Sequence, residues 1–217
     1  MIAGLHVESS PEAVVVAADR PLRTLSSAVL RGGLAEARAI VNVHVERGDC
    51  GEDPDGMVEA YARRRGLAAP YVGLLTGART QDATIGEEAA EGFHALVIVT
   101  VGLSNRMAAG RAPIARWSPS TINTIVLVEG DPEPAALVNL ALTVTEVKVL
   151  ALIEAGIMDA DGMPVTGTST DAVVVAATGR GPSARYGGPV SALGWTVARA
   201  ARRALDDGLR GWRERNP

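Results

Sequence analysis

A layered α/β domain, with a mixed or mostly parallel sheet flanked by helices, is the fold this sequence predicts. Three observations point to it. Short β-branched runs alternate with helical stretches along the chain. Several of those runs are apolar without a break, the pattern of strands covered on both faces. Of 217 residues, 47% are hydrophobic and 21% charged, which suits one buried core in a single domain over 1–217 and excludes a disordered chain.

The predicted elements follow in order. AVVVAA (13–18) and AIVNVHV (39–45) read as strands. A short helix is expected over 55–65, stopped by Gly66. YVGLLT (71–76), ALVIVTV (95–101) and INTIVLV (122–128) are the next strands. Asp131 followed by Pro132 reads as an N-cap with proline at the first helical position. The helix it opens runs to about residue 155, where Gly156 is a good terminator. AVVVAA recurs at 172–177 as a strand. A final helix is expected over 190–212, after the glycine-bearing stretch 186–189.

Composition excludes several function classes. The net charge is −4, against a general nucleic-acid binder, and the locally basic run 199–215 reads as the solvated side of a helix. One cysteine, Cys50, rules out an internal disulfide or a Cys-rich zinc site. His6, His44 and His94 lack the spacing of a metal pair, so no metal site is expected. The opening MIAGLHVESSPE has neither a basic nor an apolar leader region, so a soluble cytoplasmic protein is the expectation. GxGxxG, GxxxxGK[ST], GxSxG and HExxH are all missing, and with them the main support for dinucleotide, P-loop, α/β-hydrolase and zinc-protease readings.

The stretch 135–153 is apolar almost all round, with Glu146 and Lys148 as its only charges. It is expected to be a long buried helix near 132–155. Two charges and the lack of a flanking basic cluster argue against a membrane span. The same stretch would serve as an oligomer interface in a structural or assembly protein. Glu146 and Lys148 lie about 200° apart around a helix, so each must find its own partner or a cleft. Glu146, expected among Leu142, Val149 and Ile153, is the predicted general base, because burial raises a carboxylate's pKa toward neutrality.

Four polar loops flank the strands: Ser26 and Ser27 before Gly32-Gly33, VGLSN (101–105), STINT (120–124) and TGTSTD (166–171). Strand-end loops are where α/β sheets bind ligands, although the same residue types make ordinary turns. The hydroxyls of Thr168, Ser169 and Thr170 are candidate nucleophiles or positioning groups. Asn105 and Asn123 are candidate oxyanion donors, and Asp171 is placed to orient Lys148 or a threonine.

In order, LSSAVLRGG (25–33), IVNVHV (40–45), GLLTGA (73–78), VTVGLSNRMAAG (99–110), STINTIVLVEG (120–130), LTVTEVK (142–148) and TGTSTDAVVVA (166–176) resemble the adenosylcobinamide amidohydrolase family. The resemblance runs from about residue 25 to the last helix. Ser120 and Ser169 stand where glycine is usual, and TEVK replaces the commoner TEAK. The resemblance implies a cytoplasmic hydrolase that cleaves the amide between a corrin side chain and aminopropanol, giving adenosylcobyric acid. It needs no cofactor of its own, since the cobalt belongs to the substrate.

Glu146, Lys148, Thr168, Thr170 and Asp171 form the expected catalytic set. Ser26, Ser27, Asn42, Asn105, Thr121 and Asn123 form the expected substrate-binding set. The partners expected are the corrinoid and a second copy of the chain, with no nucleic acid and no membrane. The 167–171 loop is expected to remain uncut and to bind the substrate amide or a side-chain amide of the corrin ring. Three alternatives stay open: a corrinoid- or nucleotide-binding module without chemistry, a structural or assembly protein that uses the apolar stretch 135–153 as an interface, and a metal-dependent hydrolase in which His44 or His94 meets Glu146 or Asp171.

Overall fold

The computed structural model describes residues 1–46, 53–114 and 120–216; Cys50 lies outside them. The chain forms β1 (Leu5–Ser9), β2 (Ala13–Ser26), β3 (Gly33–His44), helix α1 (Pro54–Arg64), β4 (Tyr71–Thr76), β5 (Thr84–Ala90) and β6 (Phe93–Val101). It continues through the short β7 (Arg106–Met107), β8 (Ile122–Glu129), the short β9 (Asp131–Pro132) and helix α2 (Pro134–Glu154). Then come the short β10 (Gly167–Thr168), β11 (Ala172–Ala177), the short β12 (Ser183–Ala184) and helix α3 (Ala192–Arg215).

Eight strands make one sheet in the order β4-β3-β2-β11-β8-β6-β5, with β1 also pairing β2. Only the β3–β4 and β8–β11 pairings within it are parallel, so the sheet is mixed and predominantly antiparallel. It is not flat. The β2–β3 register shifts between Ala17 and Leu22, where exposed Pro21 has no N–H to give the ladder. One half of β2 pairs with β1 and the other with β11. The hairpin tip returns to β4, where Leu30 and Gly73 exchange N–H···O bonds of 3.2 and 3.1 Å.

The folded sheet buries side chains in three places. Val14, Val16, Ile40, Val72 and Leu74 of one half pack against Leu96, Ile98, Ile125 and Leu127 of the other. The alternate residues of the second half, among them Val97, Val99, Val126 and Val175, meet Leu137, Leu140 and Val144 of α2 and Val197, Ala201 and Leu205 of α3. On the far side Val15, Val41 and Val43 receive Val58 and Tyr61 of α1. The order of layers is helix pair, half-sheet, half-sheet, helix. Each such buried aliphatic side chain contributes about 1.5–3 kcal/mol. At Gly86 the backbone of α3 lies so close that a Cβ there would stand 2.0 Å from the carbonyl oxygen of Ala200.

Several expectations change. Leu25 and Ser26 end a strand instead of opening a loop. β1 and β5 were not anticipated; β5 reads TIGEEAA, an edge strand whose alternate residues face solvent. α2 starts at Pro134 after Glu133, because Asp131 and Pro132 pair with Ser183 and Ala184 and the Asp131 carboxylate meets Arg23. Its end is as expected: Gly156 adopts φ +61° and donates to the Ile153 carbonyl (2.8 Å). The arginines of α3 pair with Glu88, Glu154, Asp206 and Asp207, as a solvated face does.

The burial of α2 is one-sided. Leu137, Leu140, Val144, Lys148 and Leu152 are buried, whereas Val138, Leu142, Leu150 and Ile153 are 46–57% exposed. By length and composition α2 is apolar enough to cross a membrane, but its inner face packs on α3 and β11.

Candidate active site

The loop between β10 and β11 gathers the polar side chains of the candidate site, and two elements fix it. Gly167 and Thr168 pair with Met107 and Arg106, which anchors the loop's start. Its end feeds β11 beside β8, where Ala172 sits opposite Asn123. Between these anchors the chain turns Asp171 back on itself. Its Oδ1 accepts from Thr168 Oγ1 (2.5 Å) and the Ile122 N–H (3.0 Å). Its Oδ2 accepts from the Thr168 N–H (3.1 Å) and from Lys148 Nζ (2.5 Å).

Lys148 comes from the inner face of α2. Its side chain is 11% exposed and that of Asp171 12%. A buried ion pair is favourable only when further hydrogen bonds satisfy the ions, and the carboxylate here has three others. Removing one partner strands the other charge, at a cost of about 3–5 kcal/mol. Gly167 makes the pairing possible. A Cβ at that position would lie 2.2 Å from Asp171 Oδ2 and 2.9 Å from Lys148 Nζ.

These groups border a cleft of about 400 Å³, walled by Met107, Ala109, Thr145, Val149, Thr166 and Ser169. Asp171 also borders a second, more apolar cleft of about 390 Å³ on the other side of the loop, with Ser27, Val29, Leu75, Thr121 and Thr170. A hydroxyl, a carboxylate and an ammonium therefore converge at an accessible surface. That constellation can deprotonate an attacking oxygen and stabilise negative charge on a carbonyl.

The expected catalytic residues divide. Lys148, Thr168 and Asp171 come together. Thr170 belongs to the same loop, but its Oγ1 faces the Ser120 carbonyl (3.4 Å). Glu146 is a correction: it is exposed on the outer face of α2 and absent from the cleft walls. Two residues along a helix is more than half a turn, so the turn that buries Lys148 carries Glu146 to solvent. The burial expected of it does not exist.

The expected substrate-binding residues are mostly spoken for. Ser26 Oγ accepts from the Ala28 N–H, and Ser27 Oγ from the Val173 N–H, so both serve the strand end. Asn105 Nδ2 donates to Ser169 Oγ (2.6 Å), holding the 169–171 loop from β7's side. Asn42, Thr121 and Asn123 are only 1–2% exposed, and they bond to one another. Asn123 Nδ2 donates to Asn42 Oδ1 (2.8 Å) and the Leu75 carbonyl (2.9 Å), and Asn42 Nδ2 donates to Thr100 Oγ1 (3.1 Å). Buried amides satisfied in this way join the layers and do not face a substrate.

The histidines stand apart. His44 Nδ1 lies 2.8 Å from the Ala78 carbonyl, and His94 Nε2 lies 2.6 Å from Glu87. Among the described residues no group of three or more His, Cys, Asp or Glu could hold a metal ion. Two contributors escaped sequence reasoning. Gly167 matters for its missing Cβ, and Ile122 for its backbone N–H. The glycine inside TGTSTD was the only visible signal for either.

Against known proteins, the family model described as CbiZ, adenosylcobinamide amidohydrolase, matches residues 1–217. The adenosylcobinamide amidohydrolase of Methanosarcina mazei is 28% identical over 189 residues, which is 83% of this chain and 86% of that protein. Its namesake from Halobacterium salinarum is 33% identical over 139 residues, 61% of this chain and 55% of that protein. Among solved structures, a Burkholderia sp. beta-aminopeptidase superposes with a TM-score of 0.50 at 14% identity, covering 95% of this chain and 84% of that one; the likeness is one of fold.

Proposed function

The chain belongs to the adenosylcobinamide amidohydrolase family, and from that premise we propose that it hydrolyses the amide joining a corrin side chain to aminopropanol in adenosylcobinamide. The products are adenosylcobyric acid and aminopropanol, a step of corrinoid salvage. One observation carries the mechanism: Asp171 bridges Thr168 Oγ1 and Lys148 Nζ at the floor of an open cleft.

In this reading Thr168 Oγ1 attacks the amide carbon and passes its proton to Asp171. The Lys148 ammonium stabilises the negative charge that develops on the carbonyl oxygen. Asp171 returns the proton to the departing amine, leaving an ester on Thr168. Water, deprotonated by the same carboxylate, attacks that ester; the bond to Thr168 Oγ1 breaks, Asp171 hands the water's proton to that oxygen, and the carboxylic acid is released with Thr168 and Asp171 restored. The geometry separates the hydroxyls of the loop, since Thr168 reaches Asp171 and Thr170 turns toward Ser120. This moves Thr168 from holding the substrate to attacking it.

The loop works uncut. In support, residues 167 and 168, one on either side of the Gly167–Thr168 bond, are each paired to β7. Intact-mass measurement of purified protein is expected to give one species; fragments near 1–167 and 168–217 would contradict this.

The reaction needs no metal or cofactor of the protein's own, and the cobalt enters with the corrinoid. Support comes from the engagement of His44 with Ala78 and of His94 with Glu87, away from the cleft. Activity is expected to persist in EDTA. The cytoplasm is the setting proposed, with no nucleic acid or membrane as partner. The exposed apolar residues of α2 leave room for a second copy of the chain.

Incubation with adenosylcobinamide and mass spectrometry of the corrinoid tests the function. The expected product has lost aminopropanol and gained a carboxylic acid. Corrinoid that binds but comes back unchanged would favour a binding module instead.

A further inference from the structure

Thr168 and Asp171 sit on a loop of few residues, yet the geometry of their bonds is tight. Strand pairing holds the two ends of the loop, and a further tie reaches its middle from across the molecule. A line of buried side chains runs through both half-sheets to the loop. It begins at Thr100 on β6, passes to Asn42 on β3, crosses back to Asn123 on β8, and ends at Thr121, whose Oγ1 lies 2.8 Å from the Thr170 carbonyl. Thr100, Asn42 and Asn123 are each 1% exposed and Thr121 2%.

The donors and acceptors fix the direction of the line. Asn123 Nδ2 faces two acceptors, Asn42 Oδ1 and the Leu75 carbonyl, so its Oδ1 must point to Thr121. Thr121 has one hydroxyl proton and two acceptors within reach, the Thr170 carbonyl and Asn123 Oδ1 at 3.1 Å. That one proton is shared between the two, so Thr121 joins the loop to the ladder as a bifurcated donor, with the shorter contact to the loop carbonyl. Thr170 immediately precedes Asp171, so its carbonyl is one peptide away from the residue that orients both Thr168 and Lys148. The carbonyl is anchored from the side opposite Lys148.

From this we infer that Asn42, Asn123 and Thr121 are positioning residues for the catalytic loop, so that the packing of one half-sheet on the other sets the placement of Thr168. The inference rests on the amide-hydrolysis reading for its kinetic consequence, but not for its structural one. None of the three lines the cleft that holds Lys148 and Thr168, and only Thr121 borders the second. Without the Thr121 bond the residue next to Asp171 loses one of its ties while the loop's ends stay paired, which allows Asp171 to shift; a displacement of about 1 Å at a reacting group costs on the order of 100-fold in rate.

Thr121→Val keeps the side chain's shape and removes the proton; Thr121→Ser keeps the proton. Hydrogen exchange over residues 166–171 reads the loop without any substrate. Thr121→Val is expected to speed exchange there by about tenfold or more, for a loss of about 1.4 kcal/mol of local protection, with α3 unchanged. Thr121→Ser is expected to match the wild type. Asn42→Ala is expected to show the same loosening at a distance; if it does not fold, Thr100→Val takes its place.

In turnover of adenosylcobinamide, Thr121→Val is expected to lower kcat by about 100-fold and leave KM within about twofold, with Thr121→Ser restoring most of the rate. Wild-type exchange over 166–171 in both Thr121→Val and the distant variant would overturn the inference, whatever the activity. A wild type that fails to turn over adenosylcobinamide would overturn the function proposed above, and exchange would still decide the role of the ladder.

Discussion

Two charges stand two residues apart on α2, and the fold treats them oppositely. Lys148 is buried on the inner face, held by Asp171, within a site that Gly167 leaves room for. Glu146 is exposed on the outer face, in the same stripe as Leu142 and Leu150. An apolar helix with two charges therefore buries one and turns the other outward. What decides between them is the partner that meets the helix: Asp171 arrives from a loop 23 residues away, bonds Lys148 through one oxygen and accepts from the Thr168 hydroxyl through the other.

The comparison can be broken from the inner side first. Thr168→Ala is expected to have the largest effect, a loss of about 10⁴-fold or more in kcat, because the attacking oxygen is gone. The fold should survive, and steady-state turnover measures the loss. A variant with normal kcat and a raised KM would return Thr168 to a holding role.

Asp171→Asn follows. The amide can neither take the Thr168 proton nor balance Lys148. A fall of about 10³–10⁴-fold in kcat is expected, with a loss of about 3–5 kcal/mol of stability from the stranded ammonium. Denaturant unfolding reads the second number.

Gly167→Ala acts through space alone. The new methyl would press against Asp171 Oδ2 and Lys148 Nζ, so overpacking of about 1–3 kcal/mol is expected, together with loss of most activity. Wild-type stability would mean that the pair has slack the structure does not show.

Glu146→Gln is the smallest. On the outer face it is expected to change stability by less than about 0.5 kcal/mol and to leave turnover as it was.

How much of this was legible in the sequence depended on locality. YVGLLT and the second AVVVAA became β4 and β11 with the expected bounds, because each is a compact apolar run closed by polar or glycine residues. Gly156 and Gly66 ended helices as glycine does at positive φ. β5 was illegible because an edge strand needs only one buried face, and Glu87 and Glu88 hide its pattern. Asp131 misled because its capping chemistry was used elsewhere, on Arg23.

At the site, TGTSTD and Lys148 were readable as chemistry, and Asp171 was read as an orienting group. Glu146 was misplaced because an all-round apolar pattern does not tell which face the fold will cover, and exposed aliphatic residues are common on protein surfaces. Asn42 and Asn123 were read as ligand-facing, since a polar side chain in an apolar strand looks the same whether it meets a substrate or another amide. Only the folding of the sheet onto itself distinguishes the two.

The measurement that bears most directly on the central claim compares Lys148→Met and Glu146→Gln in one assay, following aminopropanol released from adenosylcobinamide. If the chemistry sits on the inner face, Lys148→Met loses about 10²–10³-fold in kcat for want of charge at the oxyanion, while Glu146→Gln keeps the wild-type rate. A Glu146→Gln enzyme that is dead beside an active Lys148→Met enzyme would contradict the account.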